Sequence, residues 1–360
     1  MINVGFPLRT TLTTLLAAAG MTGQAGAMTL RSGPLSPPIV IAHRGASGER
    51  PEHTIAAYDL AIAQGADVIE PDLVPTRDGV LVARHENEIG GTTDVAEHPE
   101  FADRRATKTI DGQPVTGWFT EDFTLAELKR LRARERLPQM RSTAHDGQET
   151  IPTLDEIIAL AKARSTQTGR TIAIYPETKH PTYFAGIGLN TDRPLLAALK
   201  KAGWTTAAAP VFIQSFEVDN LKWLHAHTGV RLIQLVAAEG DPADHAAPSY
   251  AAMVTPAGLR AVARYAWGIG PDKAMLWNVE GGATTLVDDA HAAGLRVHPW
   301  TFRAENAFLT PPFRRGTAPA GHGDLGGEIA SALRLGIDGF FTDYPLIGVS
   351  TRDAVRSGVE

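Results

Sequence analysis

Cysteine is absent from the 360 residues. Its absence excludes thiol nucleophiles, thiolate metal ligands and disulfide staples from whatever the chain does. No apolar run after the first thirty residues approaches the roughly 20 residues a spanning helix needs. Excess positive charge is missing too. Lysine and arginine total 34 against 40 acids, a formal net charge of −6, and no basic run interrupts that balance. A protein that grips nucleic-acid backbone is therefore disfavoured. Also lacking is a G-x-G-x-x-G turn after the first apolar run, which instead continues GASGE. A doubly wound open sheet thereby loses its main support.

What is present begins with an export signal. Arg9 precedes TTLTTLLAAAG and then Ala25-Gly26-Ala27. That is the charged, apolar and small-residue order of a secretory signal, with cleavage expected after Ala27. Residues 1–27 are read as a signal peptide, and the product as periplasmic or secreted.

From residue 38 to 350, short apolar runs alternate with helical patterns. The expected strands are IVIAH (39–43), DVIEPDL (67–73), TIAIYPE (171–177), PVFIQSF (210–216), RLIQLV (231–236), WGIGP (267–271), RVHPWTF (296–302) and DGFFTDY (338–344). Helical segments between them mostly stop at glycine, as a helix C-cap does. Eight strands joined by helices imply parallel pairing, because parallel neighbours need crossovers. The expected fold is α/β, a (β/α)8 TIM barrel with a small insertion. The insertion is the polar, turn-rich stretch 86–150, expected to carry one charged helix in TLAELKRLRARER and to shape substrate access.

Barrel sites lie at the C-terminal ends of the strands. There the first strand delivers His43 and Arg44, the second Glu70 and Asp72, and the third Glu177 with Lys179 close behind. A hairpin-like strand GVLVARH delivers His85, the seventh Trp300 and Arg303, and the eighth Asp343. Glu70 and Asp72 are two residues apart and so share a sheet face. Three carboxylates converging with Glu177 would repel one another, and a hard divalent cation held by oxygen ligands resolves the conflict. Two imidazoles supply an acid and a base near neutral pH. Arg44 and Lys179 supply donors suited to phosphate. Together these groups point to attack on a phosphoester.

The run AHRGASGERPEHTIAAYDLAIAQGADVIEPDLVPTRDGVLVARHE resembles the opening of the glycerophosphodiester phosphodiesterase family. YPETKHPTYF, HPWTFR and FFTDYP resemble its third, seventh and eighth strand segments. The resemblance implies a TIM barrel that hydrolyses glycerophosphodiesters to glycerol 3-phosphate and an alcohol. It places His43 and His85 as the catalytic pair, Glu70, Asp72 and Glu177 as metal ligands, and Arg44 and Lys179 at the phosphate. One divalent cation is implied, calcium ahead of magnesium. The partner is a small-molecule substrate, not nucleic acid or a stably inserted membrane. Trp300, Phe184 and Phe302 are expected to set the preference for the alcohol. One departure stands out: His53 occupies an asparagine position of the family pattern. It is read as a tolerated change beside the site, with Thr54 capping the following helix. Glu52 receives no definite role, and Glu86 either orients His85 or meets metal-bound water. The rivals are a phospholipase D-like barrel acting on acylated lipids and a non-catalytic phosphopolyol-binding protein. An amidohydrolase barrel is disfavoured because the first strand reads His43-Arg44-Gly45, not H-x-H.

Overall fold

Alternation along the eight apolar runs decides which side chains meet at the centre. A computed structural model describes residues 37–358; the expected signal peptide lies outside the described residues. In chain order the strands are β1 (Ile39–His43), β2 (Val68–Glu70), β3 (Asp72–Pro75), β4 (Leu81–Ala83), β5 (Ala106–Ile110), β6 (Gln113–Gly117), β7 (Ala173–Ile174), β8 (Glu177–Thr178), β9 (Phe212–Ser215), β10 (Arg231–Val236), β11 (Gly268–Pro271), β12 (Arg296–Val297) and β13 (Gly339–Thr342). Parallel pairing runs from β13 through β1 and β2 to β7, and from β8 through β9, β10 and β11 to β12. The ring closes where Phe302 pairs with Thr342, and Phe302 N donates to Phe341 O at 2.9 Å. Eight staves thus form the (β/α)8 barrel, with β2–β3 and β7–β8 each forming one broken stave.

The second and third staves differ from the uninterrupted strands expected. Pro71 has no N–H for a ladder, so β2 pairs with β1 while β3 pairs with β8 and, antiparallel, with β4. The broken third stave still bonds across the gap, Glu177 N donating to Pro71 O at 2.9 Å. The seventh run keeps only Arg296 and Val297 as regular strand.

Period-two alternation sorts the faces. Ile41, Val68, Ala173, Tyr175, Phe212, Ile233 and Phe341 form one buried cluster inside the barrel. Val40, Ala42, Ile69 and Phe340 point outward into the larger core beneath the helices. One further inward step along each strand gives His43, Glu70, Glu177, Gln214 and Asp343 at the mouth. Register agrees: His43 lies beside Glu70, and Glu177 beside Gln214.

The helix Ile55–Ala63 starts as expected, the Thr54 hydroxyl accepting from Ala57 N at 3.1 Å. The charged helix expected in TLAELKRLRARER is largely absent. Only Leu125–Leu128 is helical, closed by a Thr124–Glu127 capping box. Beyond it the backbone bonds elsewhere, with Ala133 N donating to Glu149 O at 2.8 Å and Arg134 N to Thr92 O at 2.9 Å. Tertiary pairing overrides a favourable helical composition here. The stretch 86–150 is also less polar in effect than in composition. Its Ile89, Val95, Phe101, Phe123, Leu128 and Leu131 bury themselves against Val74, Val82, Ile151 and Phe184. No helix among the described residues is long and apolar enough to cross a membrane.

His298 sits inside the barrel, 1% exposed, its Nδ1 3.0 Å from the Tyr175 hydroxyl and its ring beside Phe212 and Trp267. Burial lowers its pKa from 6.5 to about 4. The folded protein therefore keeps His298 neutral where the unfolded chain takes up a proton. Its contribution to stability is complete above about pH 6.5 and is lost as pH falls from there to about 4, a total of about 3 kcal/mol. Urea unfolding at several pH values, for wild type and His298→Gln, should show the variant with the shallower decline. Parallel curves would remove His298 from the acid sensitivity.

Candidate active site

A turn after β1 sets the first half of the site. Arg44 and Gly45 both adopt positive φ, 61° and 86°. A Cβ on Gly45 would lie 2.6 Å from the Ala57 carbonyl carbon, so only glycine lets the chain turn this close to the first helix. The turn folds Arg44 back over the mouth. Its backbone N donates to Glu70 Oε2 at 2.8 Å, and its Nη1 donates to Glu52 Oε2 at 2.9 Å. Its Nε lies 3.3 Å from Asp72 Oδ2. Glu52, left without a role by the sequence, also accepts from Arg136 Nε at 2.8 Å. It pins the guanidiniums of Arg44 and Arg136 at one rim.

Glu70, Asp72 and Glu177 come together as expected, with ligand oxygens all within 4.8 Å of one another. All three are buried. Burial and the charge of Asp72 hold the Glu70 carboxyl well above the usual range. Burial lifts Glu177 to about 8 against the pull of Lys179, whose Nζ is 3.1 Å from Glu177 Oε1. Burial would raise Asp72 too, but the hydrogen bond and charge of His53, then Arg44, hold it well below. One Asp72 oxygen bonds His53 Nε2 at 2.9 Å, whereas Oδ1 is buried with no hydrogen-bond partner. An orphaned carboxylate oxygen facing two carboxyls whose proton affinity is raised is the donor set of a hard divalent cation. The residues fit that group.

His53 is fully buried, its Nδ1 2.7 Å from the Tyr58 hydroxyl. It supports Asp72 from behind, in keeping with a change beside the site.

Each histidine at the mouth has Nδ1 held by a carboxylate. His43 Nδ1 is 2.6 Å from Asp343 Oδ1, and His85 Nδ1 is 2.8 Å from Glu86 Oε1. That contact directs Nε2 of each ring away from its carboxylate. Burial, then the charge of Arg44, lowers His43 to about 4 despite Asp343. Burial, then Arg44 and Lys179, lowers His85 to about 3. Both rings are neutral at pH 7. His85 lies two residues beyond β4 and keeps 28% of its side chain open to solvent.

A cavity of about 380 Å³ joins these groups. His43, Arg44, Glu70, His85, Glu177, Lys179 and Trp300 all line it, while Asp72 sits behind them in the carboxylate cluster. Trp300 is fixed by Nε1 donating to Gly270 O at 2.8 Å and by an edge contact with Phe216. Phe184 and Phe302 are not at the cavity, contrary to expectation. Both are fully buried, Phe184 in the core of the 86–150 stretch and Phe302 against Phe340. Aromatic residues near strand ends go to core or site with equal ease, and only packing separates them.

Sequence reasoning missed three groups that line the cavity, Gln214, Phe216 and Arg136, and one that supports it from outside the lining, Arg141. Gln214 donates to Glu70 Oε1 at 3.1 Å, and it was legible as a polar residue at an inward position of an apolar strand. Phe216 follows two residues on. Arg136 and Arg141 stand among the many charges of RLRARERLPQMR, where nothing singles them out. Arg141 Nη2 donates to Asp343 Oδ2 at 2.6 Å, its Nε to Glu305 Oε1 at 2.6 Å and its Nη1 to Ser47 O at 3.0 Å. Arg303 Nε reaches the same Asp343 oxygen at 2.9 Å. Burial would raise Asp343, but Arg303, Arg141 and His43 together hold it well below the usual range.

Comparison with known proteins gives the family and the fold. Residues 43–347 match the profile of the Glycerophosphoryl diester phosphodiesterase family. A glycerophosphodiester phosphodiesterase of Arabidopsis thaliana is 36% identical over 326 residues, covering 86% of this chain and 84% of its own. One from Haemophilus influenzae is 30% identical over 354 residues, covering 88% and 90%. Among solved structures, an Oleispira antarctica phosphodiesterase in complex with the product sn-glycerol-3-phosphate superposes with a TM-score of 0.58 at 23% identity, covering 88% of this chain and 97% of its own. A Thermotoga maritima glycerophosphodiester phosphodiesterase gives 0.52 at 19%, covering 88% and 98%. At these identities the structural likeness speaks for the barrel alone.

Removing Arg141 would leave Glu305 and Asp343 buried without their shared partner. Arg141→Ala should lower stability by about 3–5 kcal/mol, as for other broken buried pairs. Arg141→Lys should recover only part, since one ammonium cannot reproduce three diverging bonds. Urea unfolding at pH 7 measures both, and a loss under 1 kcal/mol for the alanine variant would contradict the assignment.

Proposed function

Because the chain belongs to the glycerophosphoryl diester phosphodiesterase family and is a phosphoric diester hydrolase, we propose that it splits glycerophosphodiesters into glycerol 3-phosphate and an alcohol, with one divalent cation bound and His43 and His85 moving the protons. The observation that carries this reading is the pair of imidazoles, each held at Nδ1 by a carboxylate, on the wall of one cavity with Arg44 and Lys179. The glycerol 3-phosphate held by the Oleispira antarctica phosphodiesterase is consistent with these products.

Glu70, Asp72 and Glu177 would hold the cation, which when bound withdraws charge from the phosphate oxygens. Three clustered carboxylates favour calcium, because magnesium is commonly held by one or two carboxylates and keeps more of its water. Arg44 and Lys179 bind the phosphate oxygens and stabilise the charge that grows at phosphorus. His43 takes the proton from the attacking oxygen, either of water, which gives glycerol 3-phosphate directly, or of the neighbouring glycerol hydroxyl, which gives a cyclic phosphate that water then opens. The imidazolium that forms is stabilised by Asp343, which Arg303 and Arg141 keep ionised. His85 gives its proton to the leaving alkoxide, and its partial exposure lets it recover one from solvent between turnovers. Arg44 and Lys179 are among the causes that depress His85. Burial is the larger cause, and a bound phosphodiester anion offsets the two charges and so raises the basicity of the ring.

We also place the mature protein outside the cytosol, on the strength of Arg9, the apolar run after it and Ala25-Gly26-Ala27. Mass spectrometry of the protein from its natural source should find the N-terminus at Met28, and an intact Met1 would overturn this.

In an assay coupled to glycerol 3-phosphate, His43→Ala and His85→Ala should each lower kcat by about 10²–10⁴-fold, with unfolding curves close to wild type. Wild-type turnover in either variant would remove that ring from the mechanism. A strong chelator should silence the enzyme, with calcium restoring more activity than magnesium. Turnover indifferent to the chelator would end the metal assignment.

A further inference from the structure

The contacts of His85 do not stop at Glu86. Glu86 has a second oxygen, Oε2, which lies 3.0 Å from His180 Nε2. His180 Nδ1 in turn lies 2.6 Å from Asp111 Oδ2. Asp111 is at the tip of the β5–β6 hairpin, where Asp111 and Gly112 form a two-residue turn with φ of 47° and 78°. The hairpin is poorly buried along most of both strands. Packing into a core does not account for its reach towards the barrel. At its tip it delivers a carboxylate to one imidazole.

His180 itself is unusual. It follows Lys179 in the third stave, immediately before Pro181, and adopts a left-handed backbone, φ 45° and ψ 46°. That region is rarely occupied by a side chain of this size, and such residues gather where function requires them. Only 13% of its side chain is exposed, against 46% for Glu86. Burial alone would lower its pKa, but the hydrogen bonds to Asp111 and Glu86 raise it to about 9. At neutral pH it is an imidazolium donating from both nitrogens, one bond to each carboxylate.

We propose that His180, anchored by Asp111, is a positioning residue for His85. It fixes Glu86 through one oxygen so that the other holds the His85 ring with Nε2 towards the phosphodiester. Without His180, Glu86 is a half-exposed side chain free to rotate into water, and His85 loses its orientation. The inference rests on the reading above that His85 transfers a proton. It resembles the arrangement at the other histidine, where Arg141 and Arg303 fix Asp343 and Asp343 fixes His43.

The test compares His180→Asn and Asp111→Ala with wild type and His85→Ala. Glycerophosphocholine serves as substrate, alongside glycerophospho-4-nitrophenol, whose phenolate leaves without being protonated. Both positioning variants should lower kcat for glycerophosphocholine by about 10–100-fold, with KM changed less than threefold. The loss should shrink markedly for the nitrophenyl substrate. His180→Gln, whose longer side chain carries its amide nitrogen towards the Nε2 position that the asparagine amide falls short of, should recover part of the rate. In the His85→Ala background, His180→Asn should cost nothing more. Asp111 is at an exposed hairpin tip, so its variant keeps the test valid should His180→Asn fold poorly. Wild-type kcat in Asp111→Ala and His180→Asn, with His85→Ala impaired, overturns the inference and leaves the reading intact. An additive loss in the double variant, or an equal loss on both substrates, overturns it as well. Wild-type kcat in His85→Ala would overturn the underlying reading itself.

Discussion

An apolar barrel interior does not tolerate isolated charge, and this one gathers carboxylates, guanidiniums and imidazoles at its mouth. Each is kept there by an opposite charge arriving from another part of the chain. Asp343 is buried yet ionised because Arg141 and Arg303 reach it. Glu52 is buried between Arg44 and Arg136. Glu70 and Glu177 are the exception, since their local partners do not suffice and burial raises both. The charge balance of the mouth is incomplete just where a cation belongs. The neutral state of the two histidines follows first from burial and then from the same balance, because the cations beside them lower their proton affinity further.

Much of this was legible in the sequence because strands obey a simple period. The inward positions of IVIAH, DVIEPDL and DGFFTDY carry an apolar residue and then an ionisable one, and that pattern predicts a mouth lined by His43, Glu70 and Asp343. Gln214 obeyed the same rule and could have been named. The carboxylate cluster followed from two residues two positions apart and a third at the next stave. The break at Pro71 left this unharmed, because β2 and β3 each keep a parallel neighbour.

What was not legible depends on contacts between residues far apart in sequence. Arg141 lies 202 residues from Asp343 and 164 from Glu305, and no local pattern marks it among its basic neighbours. The helix expected around Arg132 failed for a related reason. Its backbone groups found partners in Thr92, Asp94 and Glu149, and of its arginines Arg136 found Glu52 on the barrel while Arg130 and Arg134 found Glu100 and Glu97 within the same stretch. Phe184 and Phe302 went to cores because an aromatic ring carries no sign of its destination.

The bond between His43 and Asp343 joins residues 300 positions apart, one in the first stave and one in the last. Arg141 has neither of its carboxylates until residues 305 and 343 are in place. A growing chain on the ribosome therefore acquires both histidines and all three clustered carboxylates by residue 177, yet lacks the clasp on His43 until synthesis is nearly complete. Turnover becomes a late event in the life of each molecule. Its recovery after dilution from denaturant reports the closing of the ring, where circular dichroism reports only the formation of its staves and helices.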